Sequence, residues 1–123
     1  MNTILWIGQI LLAIIFLYSG KDKSHLSEQQ LIAKGQTGVV GKSATLIHFI
    51  GIIELLGVVG IIVPWLTGIA PWLTPVSAVG FALIMMLAAP IHARLKEYKN
   101  VALNISFMIL ALFVAWGRAR QLL

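Results

Sequence analysis

The chain has 123 residues, of which 59% are apolar and 11% charged, and its mean hydropathy is +0.96. This composition excludes a soluble globular domain, so we predict a single transmembrane domain over residues 1–123. The net charge is +5, but the basic residues fall between apolar runs, so we expect no nucleic-acid partner. Because cysteine is absent, disulfides, thiolate nucleophiles and iron–sulfur ligation are excluded.

Four apolar runs predict four membrane-spanning helices, at about 3–19, 44–63, 73–91 and 101–117. Each run is close to the length that crosses a hydrocarbon core of ~30 Å. Gly20 should end the first helix and Pro64 the second. With short connections between most of them, the helices are expected to form an all-α, antiparallel up-down bundle in the lipid bilayer.

The connection 20–43 is long for a helix bundle and contains the pattern of a short helix. Ser27 and Gln30 fit a capping box, and Gly35 can end the helix. We expect three of its apolar residues to dip into the membrane interface, namely Leu26, Leu31 and Ile32. The segment either covers a site as a lid or lies passively at the membrane surface.

Basic residues concentrate in two of the connections. Loops 20–43 and 92–100 carry seven lysines and arginines, against only Arg118 and Arg120 near the other ends of the helices. The positive-inside rule places both loops in the cytoplasm and both termini outside, in the inner membrane of a bacterial cell. Four tryptophans fall at the outer ends of the helices, as indoles at an interface do. They are Trp6, Trp65, Trp72 and Trp116.

The second helix carries Glu54 near the membrane midplane, where a charged acid costs roughly 2.5–3.5 kcal/mol. It should face protein, and Gln9 on the first helix is its predicted partner by depth. With no cation expected at that level, we predict that Glu54 is protonated and can donate a hydrogen bond. It would serve either as a ligand or proton site or as a structural link between helices.

Glycines accompany Glu54 on the same helix. Gly51, Gly57 and Gly60 continue a spacing of three residues that includes His48 and Glu54. Because glycine lets a neighbouring backbone approach closely, these positions are predicted to be helix-packing contacts facing the bundle interior.

Four more polar residues are expected at one depth near the cytoplasmic surface, and they are Tyr18, His48, His92 and Asn104. They form either the mouth of a ligand pocket that continues to Glu54 or a polar rim where water begins. Haem is not favoured, because only one histidine lies clearly inside an apolar span. No metal site is expected, and no nucleophile–base pair or cofactor fingerprint predicts a catalytic site.

Two segments, "GIIELLGVVGIIVP" and "GIAPWLTPVSAVGFALIMMLAAPIHAR", closely resemble the DoxX-like family of small four-helix membrane proteins. The resemblance covers nearly the whole chain. Its most distinctive positions are Glu54 and His92, and it also includes Gly20, Lys23, Gly51 and Gly57. The family takes its name from a subunit linked to quinone-dependent oxidation, so the resemblance implies a quinone or similar lipid partner.

Three functions therefore remain open for a chain of this kind. The bundle interior can bind a quinone or another small apolar molecule within a redox-linked system, which predicts a pocket of ~300 Å³ or more. Alternatively, the chain is a non-enzymatic subunit or scaffold for membrane or redox partner proteins, or a homo-oligomer. A small proton-coupled exporter is less favoured, because in such four-helix exporters the acid lies on the first helix.

Overall fold

The computed structural model describes all 123 residues and contains five α-helices. They are α1 (Asn2–Lys23), α2 (Glu28–Ala33), α3 (Ala44–Thr67), α4 (Leu73–Arg94) and α5 (Tyr98–Leu122), and Thr37–Val39 forms a 3₁₀ turn. All except α2 are long and apolar enough to cross a membrane. These four pack side by side, α1 on α3, α3 on α4, α4 on α5 and α5 on α1. The predicted antiparallel four-helix bundle is thus confirmed.

Large apolar side chains cover the outside of the bundle. Exposed examples occur on every long helix, and they include Ile14, Leu56, Leu87 and Ile109. Such a surface suits lipid tails, which are as apolar as the side chains themselves. Since burial of apolar area then drives helix association little, close contacts and hydrogen bonds must hold the helices together.

The closest contact joins the end of α1 to α3 at two glycines. A Cβ atom added to Gly51 would lie 2.5 Å from the backbone nitrogen of Ser24 and 2.7 Å from the carbonyl carbon of Lys23. One added to Gly20 would lie 2.9 Å from the carbonyl oxygen of Gly51. Only glycine fits at this crossing, which brings the two backbones together.

The other predicted packing glycines face α4. A Cβ atom at Gly57 would lie 2.5 Å from the ring of Phe81, and Gly60 abuts Ser77. The Phe81 ring stacks on Phe16 of α1, with ring centroids 3.9 Å apart. This pair lies in an apolar core in the middle of the bundle.

α1 does not end at Gly20, as predicted, but continues to Lys23. The prediction that Pro64 ends the next long helix is also wrong, since α3 runs on to Thr67 and ends at Gly68, whose φ is +74°. A proline removes one backbone donor, and membrane helices tolerate it where a neighbouring side chain satisfies the freed carbonyl. Here the carbonyl four residues before Pro64 has such a partner on α4.

That partner is the hydroxyl of Thr74, which is fully buried and donates to the carbonyl oxygen of Gly60 at 3.0 Å. Replacing Thr74 with valine keeps the shape but removes the donor, so we expect a loss of about 1–2 kcal/mol in the free energy of unfolding. Thr74→Ser should retain most of the stability. Equal stability of the valine variant and the wild type in a detergent unfolding titration would contradict this assignment.

The connection between α1 and α3 folds back onto the end of the bundle. The predicted capping box between Ser27 and Gln30 is present, and Gly35 follows α2 with φ of +86°. Leu31 is fully buried in a small cluster with Leu26, Val39 and Ile47. The expectation that Leu31 dips into lipid is therefore wrong, whereas Ile32 stays exposed.

Candidate functional site

Glu54 lies in a polar cluster where α1 crosses α3. Its carboxylate accepts hydrogen bonds from Lys23 Nζ at 2.9 Å and from Ser19 Oγ at 2.9 and 3.2 Å. The side chain of Glu54 is 1% exposed and that of Lys23 is 15% exposed. The expectation that no cation reaches this depth is therefore wrong. The structure places the ammonium of Lys23 beside Glu54, where the sequence predicted Gln9 as the partner and no cation.

The ion pair depends on the extra turn of α1. Ser19 and Lys23 are four residues apart, so they lie on one face of the helix and both point to α3. The contact of Gly20 with Gly51 brings that face within reach of Glu54. Lys23 lies at the last turn of α1, and its long stem carries the ammonium back to the carboxylate.

A cavity of about 220 Å³ adjoins the ion pair, with walls from the four long helices and from the connection 20–43. Four of the residues predicted to bind a ligand line it, and they are Tyr18, Glu54, His92 and Asn104. The opposing apolar lining includes Ile15, Ile84, Met85 and Phe107. The volume is below the ~300 Å³ expected for a complete ligand, but a cavity of about 150 Å³ already holds benzene. It therefore suits one substituted ring.

Gln9 and His48 do not line this cavity. Gln9 donates from Nε2 to the carbonyl oxygen of Ile61 at 2.7 Å and accepts from Arg118 Nε at 2.7 Å. The predicted pair between Gln9 and Glu54 is therefore wrong. α3 begins about two turns beyond the end of α1, since Gly51 rather than Ala44 meets Lys23. A depth counted in residues from the predicted inner ends of the helices does not include this axial shift.

Arg118 is a buried cation that the sequence assigned only to membrane orientation. It is fully buried near the tryptophan end of the bundle. Its guanidinium donates, at 2.7 Å each, to the side-chain oxygens of Asn2, Gln9 and Gln121. The guanidinium carbon also lies 4.5 Å from the ring centroid of Trp65, a cation–π contact. The sequence feature that could have indicated a close helix contact at this position is Gly117, which abuts Leu5 of α1.

A second polar cluster joins the 3₁₀ turn to α4 and α5. Oε1 of Glu97 accepts from Thr37 Oγ1 at 2.5 Å and from His92 Nδ1 at 2.8 Å. The hydrogen bond from Thr37, followed by that from His92, holds the pKa of Glu97 below its ordinary value of 4.5. Gly38, next to Thr37, lies in the cavity lining. Of the two expectations for this connection, the structure therefore favours a segment that covers the cavity.

The same segment is held on its other side by Asp22. Oδ2 of Asp22 accepts from Lys34 Nζ at 2.8 Å and from Gln36 Nε2 at 2.7 Å. The hydrogen bond to Asp22 raises the pKa of Lys34 above its ordinary value. The side chain of Gln36 also lines the cavity. The carboxylates of Asp22 and Glu97 thus hold the connection 20–43 over the cavity.

The hydrogen bond that ties Glu97 to Thr37 of the connection 20–43 is expected to depend on pH. Because its pKa is lower in the folded protein, Glu97 contributes stability above pH 4.5, and that contribution is lost as the pH falls through the folded pKa. We expect protease cleavage in 34–41 to accelerate in acid for the wild type. Glu97→Gln should be cleaved faster at neutral pH and change less in acid. Parallel pH profiles of the two proteins would contradict this role of Glu97.

Four apolar helices packed around buried polar clusters define a multi-pass membrane protein of the four-helix type. The sequence profile of the DoxX-like family matches residues 7–114, which is nearly the whole chain. The chain belongs to the DoxX-like family, and the resemblance noted from the sequence is confirmed. No curated protein and no solved structure gives a significant match.

Proposed function

We propose that the cavity beside Glu54 binds the polar ring of a small apolar molecule, with quinones as the first class to test, within a redox-linked membrane system. The observation that carries this proposal is a buried ion pair in the wall of a ring-sized cavity. A ring with polar substituents matches both kinds of wall, one charged and one apolar.

The ion pair has spare hydrogen-bonding capacity. The ammonium of Lys23 has three donors, and it uses one of them for Glu54. Because Lys23 also lines the cavity, its other donors can reach a ligand oxygen. The apolar wall contributed by Ile84 and Phe107 would contact the carbon face of the ring.

The energetics of buried charge also favour a functional role. Replacing a buried ion pair by well-packed apolar residues is often neutral or stabilising, so such a pair is weak support for a purely structural role. A pair placed in the wall of a partly apolar cavity can contact a ligand, which is a role that stability alone does not supply. This supports ligand binding over a simple fastener between α1 and α3.

The proposal is tested by extracting and identifying, by mass spectrometry, the molecules that copurify with the protein in mild detergent. We expect a specific apolar ligand in the wild type and a loss of about tenfold or more in Glu54→Gln, since one charged hydrogen-bond partner is removed. His48→Gln is the matched control, a half-buried polar residue of the same helix outside the cavity. Equal ligand content in all three proteins would overturn the proposal.

We further propose that loops 20–43 and 92–100 face the cytoplasm of an inner membrane, so that the polar end of the cavity opens on that side. The excess of basic residues in these loops supports this orientation. Because the chain lacks cysteine, single cysteines at Lys96 and Gly68 can report it. In intact cells an impermeant maleimide should label Gly68→Cys and leave Lys96→Cys unlabelled. The reverse pattern would invert the topology.

A further inference from the structure

The outer surface between α3 and α4 carries a groove made of two adjoining depressions. The first, of about 100 Å³, lies at the loop end of the helices and has Lys42 and Leu87 in its walls. The second, of about 220 Å³, lies closer to the middle of the bundle and has Gly57 and Gly80 in its walls. Ile84 lines both depressions, so they follow one another along the same pair of helices.

The groove faces the lipid and is about as long as one leaflet is thick. Leu56 and Leu87 in its walls are exposed on the outside of the bundle. From Leu87 to Ser77 it follows α4 for about 15 Å, which is half of a hydrocarbon core of ~30 Å. A Cβ atom added at Gly80 would meet nothing within 4 Å, so no side chain fills the groove there. One extended acyl chain fits these dimensions.

The loop end of the groove is positively charged. Lys42 Nζ donates to the carbonyl oxygen of Gly38 at 2.9 Å, and neither Lys42 nor Arg94 forms an ion pair. Burial, followed by repulsion from Lys23 and Arg94, lowers the pKa of Lys42 below its ordinary value of 10.5. A bound anion would oppose both effects, because it stabilises the charged ammonium.

No acidic side chain of the protein is available as this anion. The chain has four acidic residues. Three of them form ion pairs with other partners. The fourth, Glu28, accepts a hydrogen bond from the backbone nitrogen of Gly41 at 3.1 Å and forms no ion pair with Lys42. A countercharge for Lys42 and Arg94 therefore has to come from outside the chain.

We infer that the groove binds one anionic phospholipid from the leaflet on the loop side, with its phosphate at Lys42 and Arg94 and one acyl chain between α3 and α4. Basic pockets between membrane helices hold anionic headgroups in this way. The ammonium of Lys42 has three donors and uses one for Gly38, so two remain for phosphate oxygens. A zwitterionic lipid would bring a further ammonium to a place without a free acid, so a net negative headgroup is preferred.

This inference goes beyond the proposed function and does not rest on it. Lys23 lines both the groove and the cavity beside Glu54, but its charge is already paired with Glu54. The groove is distinguished by Lys42, which does not line that cavity. Loss of the lipid and loss of the cavity ligand are therefore separate outcomes.

The test is native mass spectrometry of the full chain in detergent with equal amounts of phosphatidylglycerol and phosphatidylethanolamine that carry the same acyl chains. We expect the first bound lipid to be phosphatidylglycerol with a preference of about 20-fold, from about fivefold for each of two basic residues. Equal occupancy by the two lipids would overturn the inference. This comparison uses the wild type, so it does not depend on the folding of a variant.

Two variants test the headgroup site. Lys42→Gln and Arg94→Gln should each reduce the preference about fivefold. Lys99→Gln is the matched control, because Lys99 is an exposed lysine outside the groove, and it should keep the wild-type preference. An equal reduction in Lys99→Gln would mean that the basic loops attract anionic lipid without a defined site, which would overturn the inference.

A further variant tests the position of the acyl chain. Gly80→Leu places a side chain in the groove without changing the charge, so it should lower the amount of bound phosphatidylglycerol severalfold. Ala102→Leu, at an exposed position of α5 outside the groove, should bind as the wild type does. Wild-type binding by Gly80→Leu would show that the acyl chain does not lie between α3 and α4 and would overturn the inference.

Discussion

Replacing Lys23 with methionine is expected to destabilise the bundle by about 3–5 kcal/mol, because breaking a buried ion pair from one side leaves the other charge uncompensated. The carboxylate of Glu54 would keep only the hydroxyl of Ser19 as a partner. Its side chain is 1% exposed, so only the adjoining cavity could supply water in place of the lost ammonium. The free energy of unfolding, measured by circular dichroism in mixed micelles of increasing dodecyl sulfate content, gives the effect directly.

The two members of the pair should not be equivalent. Lys23 is 15% exposed and lies in the last turn of its helix, so in Glu54→Gln its ammonium can turn toward the membrane surface. We therefore expect Glu54→Gln to cost less than Lys23→Met, and the double variant to be more stable than Lys23→Met alone. Lys21→Met, at an exposed lysine two residues away, serves as the control and should be nearly neutral. If Lys23→Met unfolded at the same dodecyl sulfate content as the wild type, the pair would contribute no stability.

The second large effect is expected at Gly51, where even one methyl group does not fit. In Gly51→Ala the new Cβ atom would meet the backbone of Lys23 and Ser24 at 2.7 and 2.5 Å. Backbone atoms cannot turn aside as a flexible side chain can, so α1 and α3 must separate. We expect a loss of about 1–3 kcal/mol, the usual cost of overpacking.

Gly80→Ala is the matched control for this prediction. Gly80 lies inside α4 with no atom within 4 Å of an added Cβ. Because alanine favours the helix over glycine by up to about 1 kcal/mol, this variant should be as stable as the wild type or more so. If Gly51→Ala behaved like Gly80→Ala in the same titration, the close crossing would be contradicted. Ligand content should also fall in Gly51→Ala alone, because the cavity wall moves with Lys23.

The number and direction of the helices could be predicted because the thickness of a bilayer sets the length of each apolar run. The axial shift of one helix relative to its neighbour could not be predicted. It depends on which residues meet, here Gly20 and Gly51, and neither helix end reports it. Lys23 was counted as a loop charge for the same reason, although the family resemblance already grouped it with Gly20, Gly51 and Glu54.

The residues that line the cavity could likewise be predicted only in part. Tyr18, His92 and Asn104 lie near helix ends at one side of the bundle, where counting depth from the loops suffices. His48 has neither the depth nor the face, because Gly51 is level with the end of α1 and His48 lies about one turn farther toward the loops. It lies six residues before Glu54, and at about 100° per residue the two side chains are about 120° apart around α3. Equal spacing in sequence does not place them on one wall.

The stacked rings of Phe16 and Phe81 have a consequence for the passage of charge. They lie with Leu12, Ile61, Ala78 and Val114 in the apolar core, between the Glu54 pair and the Arg118 cluster. An ion that reaches Glu54 from the loop side meets hydrocarbon on every helix and has to return by the same route. In a single copy of this chain, the cavity is therefore closed at its inner end. Liposomes that contain the protein as monomers should hold a proton gradient as well as protein-free liposomes.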